Sequence, residues 1–199
     1  MRYFLDTEFI EDGKTLDLLS VGIVAEDGRE LYAQRDAANF KSGHDWLWRN
    51  VYPSLVHFDF RTASRSCKRD QMNDTLRDVH GGRCAKHESC AWYSDIRGML
   101  REFCDPDQYG KPEFWGYYAD YDWVVICQLF GTMMDLPKGW PMYCRDIKQL
   151  CDDQGNPKLP EQGKGEHHAL ADARWNKVAW EFLNQEHMRE VGDETNRKR

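Results

Sequence analysis

Asp6 and Glu8 stand two apart in YFLDTEFIEDG, residues 3–13, beside a run of large apolar side chains. Side chains alternate along a strand, so two such carboxylates share one face about 7 Å apart along the chain, with Thr7 opposite. Like charges placed together repel and raise a pKa unless a cation lies between them. Mg²⁺ and Mn²⁺ take carboxylate oxygens and keep some of their waters, so this spacing suits a hard divalent ion. A strand that stops at Asp6 and leaves Glu8 in solvent would read the same, and the pair alone does not separate the two.

Two later segments supply more acids. YADYD at 118–122 follows a strand pattern and opens a helical one; HHALADA at 167–173 puts imidazole and carboxylate at the start of another helix. If these segments meet the first strand at one sheet edge, Asp6, Glu8, Asp122 and Asp172 form a four-acid set. Such a set holds two ions about 3.5–4 Å apart, the clamp used for in-line attack of water on a phosphodiester. Helical spacing pairs His168 with Asp172 at i, i+4 and turns His167 about 140° away. A helix beginning at His168 would instead leave His167 in the QGKGE loop, able to swing over the ions. Asp120 competes with Asp122, although it also reads as a helix N-cap.

The elements that must position these groups follow from pattern. Strands are expected at 2–6, 16–26 and 30–35, the last two joined at the EDG turn as an antiparallel hairpin, and again at 113–118. Helices are expected at 45–52, from the candidate N-cap Ser94 to Phe103, after Asp120 to the Gly131 stop, from the N-cap Asp146, and from near His168 through 185. Trp115, Trp123, Trp175 and Trp180 read as packing residues. The order predicts a mixed α/β sheet flanked by helices, one domain over 1–190, with 191–199 as a flexible tail.

Bulk composition narrows the classes. With 41% hydrophobic residues the chain can build a core, so wholesale disorder is excluded. A net charge of −7 argues against gripping nucleic acid by an overall basic surface, but an acidic cleft loaded with metal inverts the local sign. The acids near the N-terminus and the lack of any long apolar run predict a cytoplasmic protein without a membrane span. Seven cysteines, an odd number with Cys104, Cys127, Cys144 and Cys151 scattered, fit reduced thiols better than a disulfide framework.

DTE in the first strand, the tyrosine–aspartate pair Tyr121–Asp122, and H-x-A-x-x-D ending at Asp172 together resemble the DnaQ-like 3′–5′ exonucleases of the histidine-containing DEDD type. Their fold is ribonuclease H-like. MRYFLDTEFIEDG, LLSVGIVAEDGRELYA and YDWVVICQLFG are closer still to the polyadenylate-specific exoribonucleases of the RNase AS group. The resemblance covers about 1–35 and 92–185. It implies that Asp6, Glu8, Asp122 and Asp172 bind two Mg²⁺ or Mn²⁺ ions and that His167, rather than His168, is the general base. It also implies release of nucleoside 5′-monophosphates from the 3′ end of single-stranded RNA, adenylate-rich RNA among the candidates, by a homodimer. Thr7, Phe9 and Tyr121 are candidate substrate contacts, with Phe9 or Ile10 wedged under the terminal base. A DNA exonuclease or an oligoribonuclease fits the same fold. An inactive nucleic-acid-binding module is disfavoured because all four acids and the histidine occur together.

Residues 64–91 have no counterpart in that group. This inserted segment is polar and holds Cys67, Cys84, His87 and Cys90, a Cys₃His combination that suits one structural Zn²⁺, with His80 as a substitute ligand. An incidental set of surface cysteines is the competing reading, and a zinc-stabilised interaction protein would leave the acids unexplained.

Overall fold

The computed structural model describes residues 1–35, 45–55, 90–91, 93–163 and 165–197, without the side chains of 48, 90, 91, 93–95 and 186–197. Strand β1 (Arg2–Glu11) is central, with β2 (Leu16–Ala25), β3 (Glu30–Arg35), β4 (Cys90–Ala91), β5 (Glu113–Gly116) and β6 (Arg145–Asp146). They form one six-stranded sheet in the order β4-β3-β2-β1-β5-β6. β1, β2 and β3 pair antiparallel, whereas β1–β5, β5–β6 and β3–β4 are parallel. Helices are α1 (Asp45–Asn50), α2 (Tyr93–Phe103), α3 (Pro106–Tyr109), α4 (Asp120–Phe130), α5 (Ile147–Asp153) and α6 (Ala169–Arg197).

Alternation along β1 sorts the molecule into layers. Tyr3 and Leu5 join Val21, Ile23 and Ala33 in a core completed by Ile96 and Leu100 of α2 and Trp123, Ile126 and Phe130 of α4. Phe4 points the other way and packs with Trp115, Ile147, Cys151, Ala179 and Leu183, under α5 and α6. The same alternation carries Asp6 and Glu8 onto the α6 face and Thr7 onto the α4 face. A third cluster, Ile10, Leu19, Leu47, Val51, Tyr52 and Leu55, fastens α1 and the turn after it to the β1–β2 hairpin.

Two residues let α6 lie directly on the strand that carries the acids. Gly22 is the cross-strand partner of Asp6. A Cβ there would fall 2.4 Å from the backbone of Ala169 and Leu170, so only hydrogen admits the first turn of α6 to the sheet. One turn beyond Asp172, the buried Asn176 amide donates to the Leu5 carbonyl at 2.8 Å. The helix is thereby tied to β1 one residue before Asp6.

Several boundaries differ from the sequence expectation. β1 does not stop at Asp6: it continues through Glu8 to Glu11, with a register irregularity between Glu8 and Phe9. β5 ends at Gly116 rather than at Tyr118, which adopts a left-handed φ of 55° that no strand accommodates. α6 begins at Ala169 and runs to Arg197, so most of the stretch expected as a tail is helical. Ala119, not Asp120, is the N-cap of α4. Cys67, Cys84 and His87 lie outside the described residues, as does the Cys90 side chain; the Cys90 backbone opens β4 beside Gln34. Among the described residues no helix is long and apolar enough to cross a membrane.

Gly22→Ala is expected to destabilise the protein by about 1–3 kcal/mol in urea unfolding, because backbone must move to admit the methyl group. Asn176→Leu is expected to cost a similar amount, about 1–3 kcal/mol, by orphaning a buried carbonyl. A change within about 0.5 kcal/mol for both would show that the close approach of α6 to β1 is not needed.

Candidate active site

The acids reach one place from three elements. Asp6 and Glu8 share the face of β1 under α6, and Asp172 lies in the first turn of that helix. One carboxylate oxygen from each lies within 4.8 Å of the others, and Glu8 is only 9% exposed. The fourth acid, Asp122, enters from the first turn of α4 on the opposite layer. Its Oδ1 accepts from the Thr7 amide at 2.7 Å and from the Thr7 hydroxyl at 2.6 Å. Thr7, expected as a substrate contact, is buried with both donors on Asp122.

Asp172 is held at both of its oxygens. Gln162 Nε2 donates to Oδ1, and the His167 amide donates to Oδ2 at 3.0 Å. These bonds orient the group toward β1 from a loop that periodicity does not describe. Gln162 is therefore a site residue that sequence reasoning missed, since nothing marks it within EQGKGE. Asn176 and Gly22 were missed for a related reason: each acts on the backbone of a segment far away in the chain.

No lysine or arginine among the described residues pairs with the four acids. Their protonation shows the consequence. Burial, followed by repulsion from Asp122, Glu8 and Asp172, raises Asp6 well above the usual carboxylate range. Glu8 is raised from 4.5 to about 8, by burial first and then by Asp172 and Asp122. Asp122 and Asp172 rise to about 6, burial being opposed by hydrogen bonds from Thr7 in the first case and from the His167 backbone in the second. Asp122 thus acts electrostatically on Asp6 and Glu8 although its own carboxylate is engaged by Thr7.

The two histidines part company. His168 stacks on Tyr32 of β3, with centroids 4.6 Å apart and planes at 21°, and burial lowers its pKa. Its carbonyl accepts from the amides of Ala171 and Asp172, so its bond to Asp172 is made by backbone, not by the imidazole. His167 precedes it in a left-handed conformation, φ 66°. Its carbonyl accepts from the Ser54 hydroxyl, and its ring meets Trp46 edge-on at 4.9 Å. The main chain of His167 is therefore fixed from both sides while the ring rests on an aromatic neighbour.

Around the acids, Phe9 and Tyr121 meet edge to face, with centroids 6.0 Å apart and planes at 73°. Phe9 also lines an open cleft of about 530 Å³ with Glu11, Asp12, Gly13, Trp46 and Leu47. Ile10 is packed into the hairpin cluster. Trp115 and Trp123 are core residues, as their strand and helix positions suggested. Asp146 caps α5 by accepting from the Gln149 amide, and its other oxygen accepts from the Ala119 amide at 2.8 Å. That second bond joins β6 to the start of α4.

Comparison with known proteins bears on this geometry. The family model described as "3'-5' exoribonuclease Rv2179c-like domain" matches residues 1–184. Two curated relatives from Mycobacterium tuberculosis strains, "3'-5' exoribonuclease Rv2179c" and "3'-5' exoribonuclease MT2234.1", are each 37% identical over 174 residues, 87% of this chain and 88% of theirs. Two solved structures are similar at a much greater distance. They are S. pombe Pop2p in a Mg²⁺- and Mn²⁺-bound form (TM-score 0.41, 12% identity, 92% of this chain and 81% of that one) and the yeast NOT1 MIF4G domain co-crystallized with CAF1 (TM-score 0.46, 10% identity, 94% and 80%). Likenesses so distant carry nothing about the site. The acid set sits within a family match spanning nearly the whole chain and supported by close curated relatives: the chain belongs to the Rv2179c-like 3'-5' exoribonuclease family.

Proposed function

We propose that the chain hydrolyses single-stranded RNA from its 3′ end, one nucleoside 5′-monophosphate at a time, using two Mg²⁺ or Mn²⁺ ions held by Asp6, Glu8, Asp122 and Asp172. The observation that carries this reading is the convergence of three carboxylates within 4.8 Å of one another with no cationic side chain among the described residues to neutralise them. The donor set fits hard divalent ions, because it is carboxylate oxygen throughout. Such ions, when bound, acidify water and offset charge on the departing oxygen.

The chain's own groups divide the remaining work. Asp122, held by Thr7, and Asp172, held by Gln162 and the His167 amide, are fixed before substrate arrives. The His167 ring turns away from Trp46 and accepts the proton of the attacking water at a ring nitrogen. The water oxygen bonds to the terminal phosphorus, the bond to the preceding 3′ oxygen breaks, and that oxygen leaves as the new 3′ hydroxyl after taking a proton. Imidazole is the side chain suited to proton transfer near neutral pH. The aromatic pair Phe9–Tyr121 receives the terminal base. Adenylate-rich RNA is the substrate class indicated by the RNase AS resemblance, and a cytoplasmic homodimer is the expected assembly.

Incubating end-labelled RNA and DNA with Mg²⁺ or Mn²⁺ tests the reaction. RNA is expected to shorten from the 3′ end with release of 5′-monophosphates, and Asp6→Asn is expected to remove essentially all turnover. His167→Ala is expected to lower kcat about 10²- to 10⁴-fold, and His168→Ala far less. Unchanged turnover in Asp6→Asn, or DNA cleaved as well as RNA, contradicts the reading.

Acids whose folded pKa is raised bind more protons folded than unfolded, so their contribution favours the fold at low pH and is lost as pH rises through the folded values. The metal-free protein is expected to melt at lower temperature as pH goes from about 5 to about 8, with Glu8→Gln flattening the upper part of that fall. Mn²⁺ is expected to raise the melting temperature more at the alkaline end. A melting temperature that climbs with pH in the metal-free protein, or an equal Mn²⁺ effect throughout, contradicts this electrostatic picture.

For the inserted segment the proposal is one structural Zn²⁺ on Cys67, Cys84, His87 and Cys90. Purified wild-type protein is expected to carry zinc that Cys84→Ser lacks; equal zinc content rules the site out.

A further inference from the structure

Tyr118 is the most exposed aromatic side chain among the described residues, at 64%, and it is held in an unfavourable backbone conformation, φ 55°. A bulky L residue adopts that region only where its surroundings impose it. Both flanks do so here. The Tyr117 ring meets Trp175 of α6 edge-on at 5.1 Å, and the Ala119 amide is bound by Asp146. Between these anchors the Tyr118 ring stands edge-on to Tyr117, centroids 4.8 Å apart. The core does not call for an aromatic group at this position, and glycine would relieve the backbone.

The position is informative. β5 is parallel to β1, so the β5–α4 connection lies at the same sheet edge as the half of β1 that carries Asp6 and Glu8. Ligands of open α/β sheets bind outside the carboxyl ends of parallel strands. Tyr118 precedes α4, which brings Asp122, and its supporting neighbour Trp175 lies three residues after Asp172. Aromatic faces beside a phosphodiester-cleaving centre stack on bases with little regard for sequence.

We infer that Tyr118 is a substrate-binding residue on which a base of the RNA chain stacks, a role that rests on the exoribonuclease reading and adds a contact apart from the Phe9–Tyr121 pair. Tyr118→Ala and Tyr118→Gly are expected to raise KM for single-stranded RNA about tenfold with kcat nearly unchanged, the share of one stacked base, while Tyr118→Phe retains wild-type KM. The Kd of a 5′-fluorescein-labelled RNA decamer, read by anisotropy in EDTA, is expected to weaken in parallel. Tyr118→Gly is expected to melt at higher temperature than wild type, because it relieves the left-handed backbone. A purely structural tyrosine would reverse that sign.

An abasic nucleotide moved stepwise from the 3′ end is expected to cost wild type at one position where Tyr118→Ala shows no further loss. Unchanged KM and Kd in Tyr118→Ala overturn the assignment while leaving the exoribonuclease reading intact. Wild-type protein that binds the decamer without shortening it in Mg²⁺ overturns the exoribonuclease reading, and the Kd comparison still decides Tyr118. A smaller sedimenting species in Tyr118→Ala with RNA affinity unchanged overturns the assignment in favour of a subunit contact.

Discussion

Three carboxylates pressed to within 4.8 Å of one another, two on a central strand and one on the helix above it, repel. The rest of the structure has to contain that repulsion. Burial makes it worse, since charge is harder to sustain away from water, and the Glu8 pKa is accordingly raised to about 8. On the proposed reading, the arrangement is a repulsion that a bound divalent cation would relieve. The fold accepts it because the acids are attached to elements that other contacts hold in place.

Those contacts are short and few. Gly22 admits α6 to the sheet opposite Asp6, and Asn176 ties the same helix to the Leu5 carbonyl. Thr7 points to the other layer and holds Asp122 with both its amide and its hydroxyl. One tripeptide, Asp6-Thr7-Glu8, therefore serves both layers: its acids meet Asp172 above the sheet, and its threonine meets Asp122 below. The loop before α6 closes the assembly through Gln162 and the His167 amide, while Ser54 and Trp46 hold His167 from the α1 side.

Much of this was legible in the sequence, and what was not has a physical reason. Alternation predicted that Asp6 and Glu8 share a face, and the order of strands and helices predicted a mixed α/β architecture. Spacing did not show that β1 continues to Glu11, because a strand end and a buried carboxylate pair read alike in letters. Helical periodicity favoured His168; the helix starts at Ala169, and His168 stacks on Tyr32 instead. Gln162, Asn176 and Gly22 act through hydrogen bonds or close approach between segments far apart in the chain, which no local pattern reports. Tyr118 looked like the end of a strand, and its left-handed backbone emerges only once Tyr117 and Ala119 are anchored on either side.

The central claim is that these acids form one cation site whose protons and ions compete. Calorimetric titration of Mn²⁺ in buffers of different ionisation enthalpy, near neutral pH, measures that competition directly. Wild-type protein is expected to release protons as Mn²⁺ binds, with fewer released by Glu8→Gln and binding lost in Asp6→Asn. Mn²⁺ binding without proton release, or with equal affinity in Asp6→Asn, would contradict it.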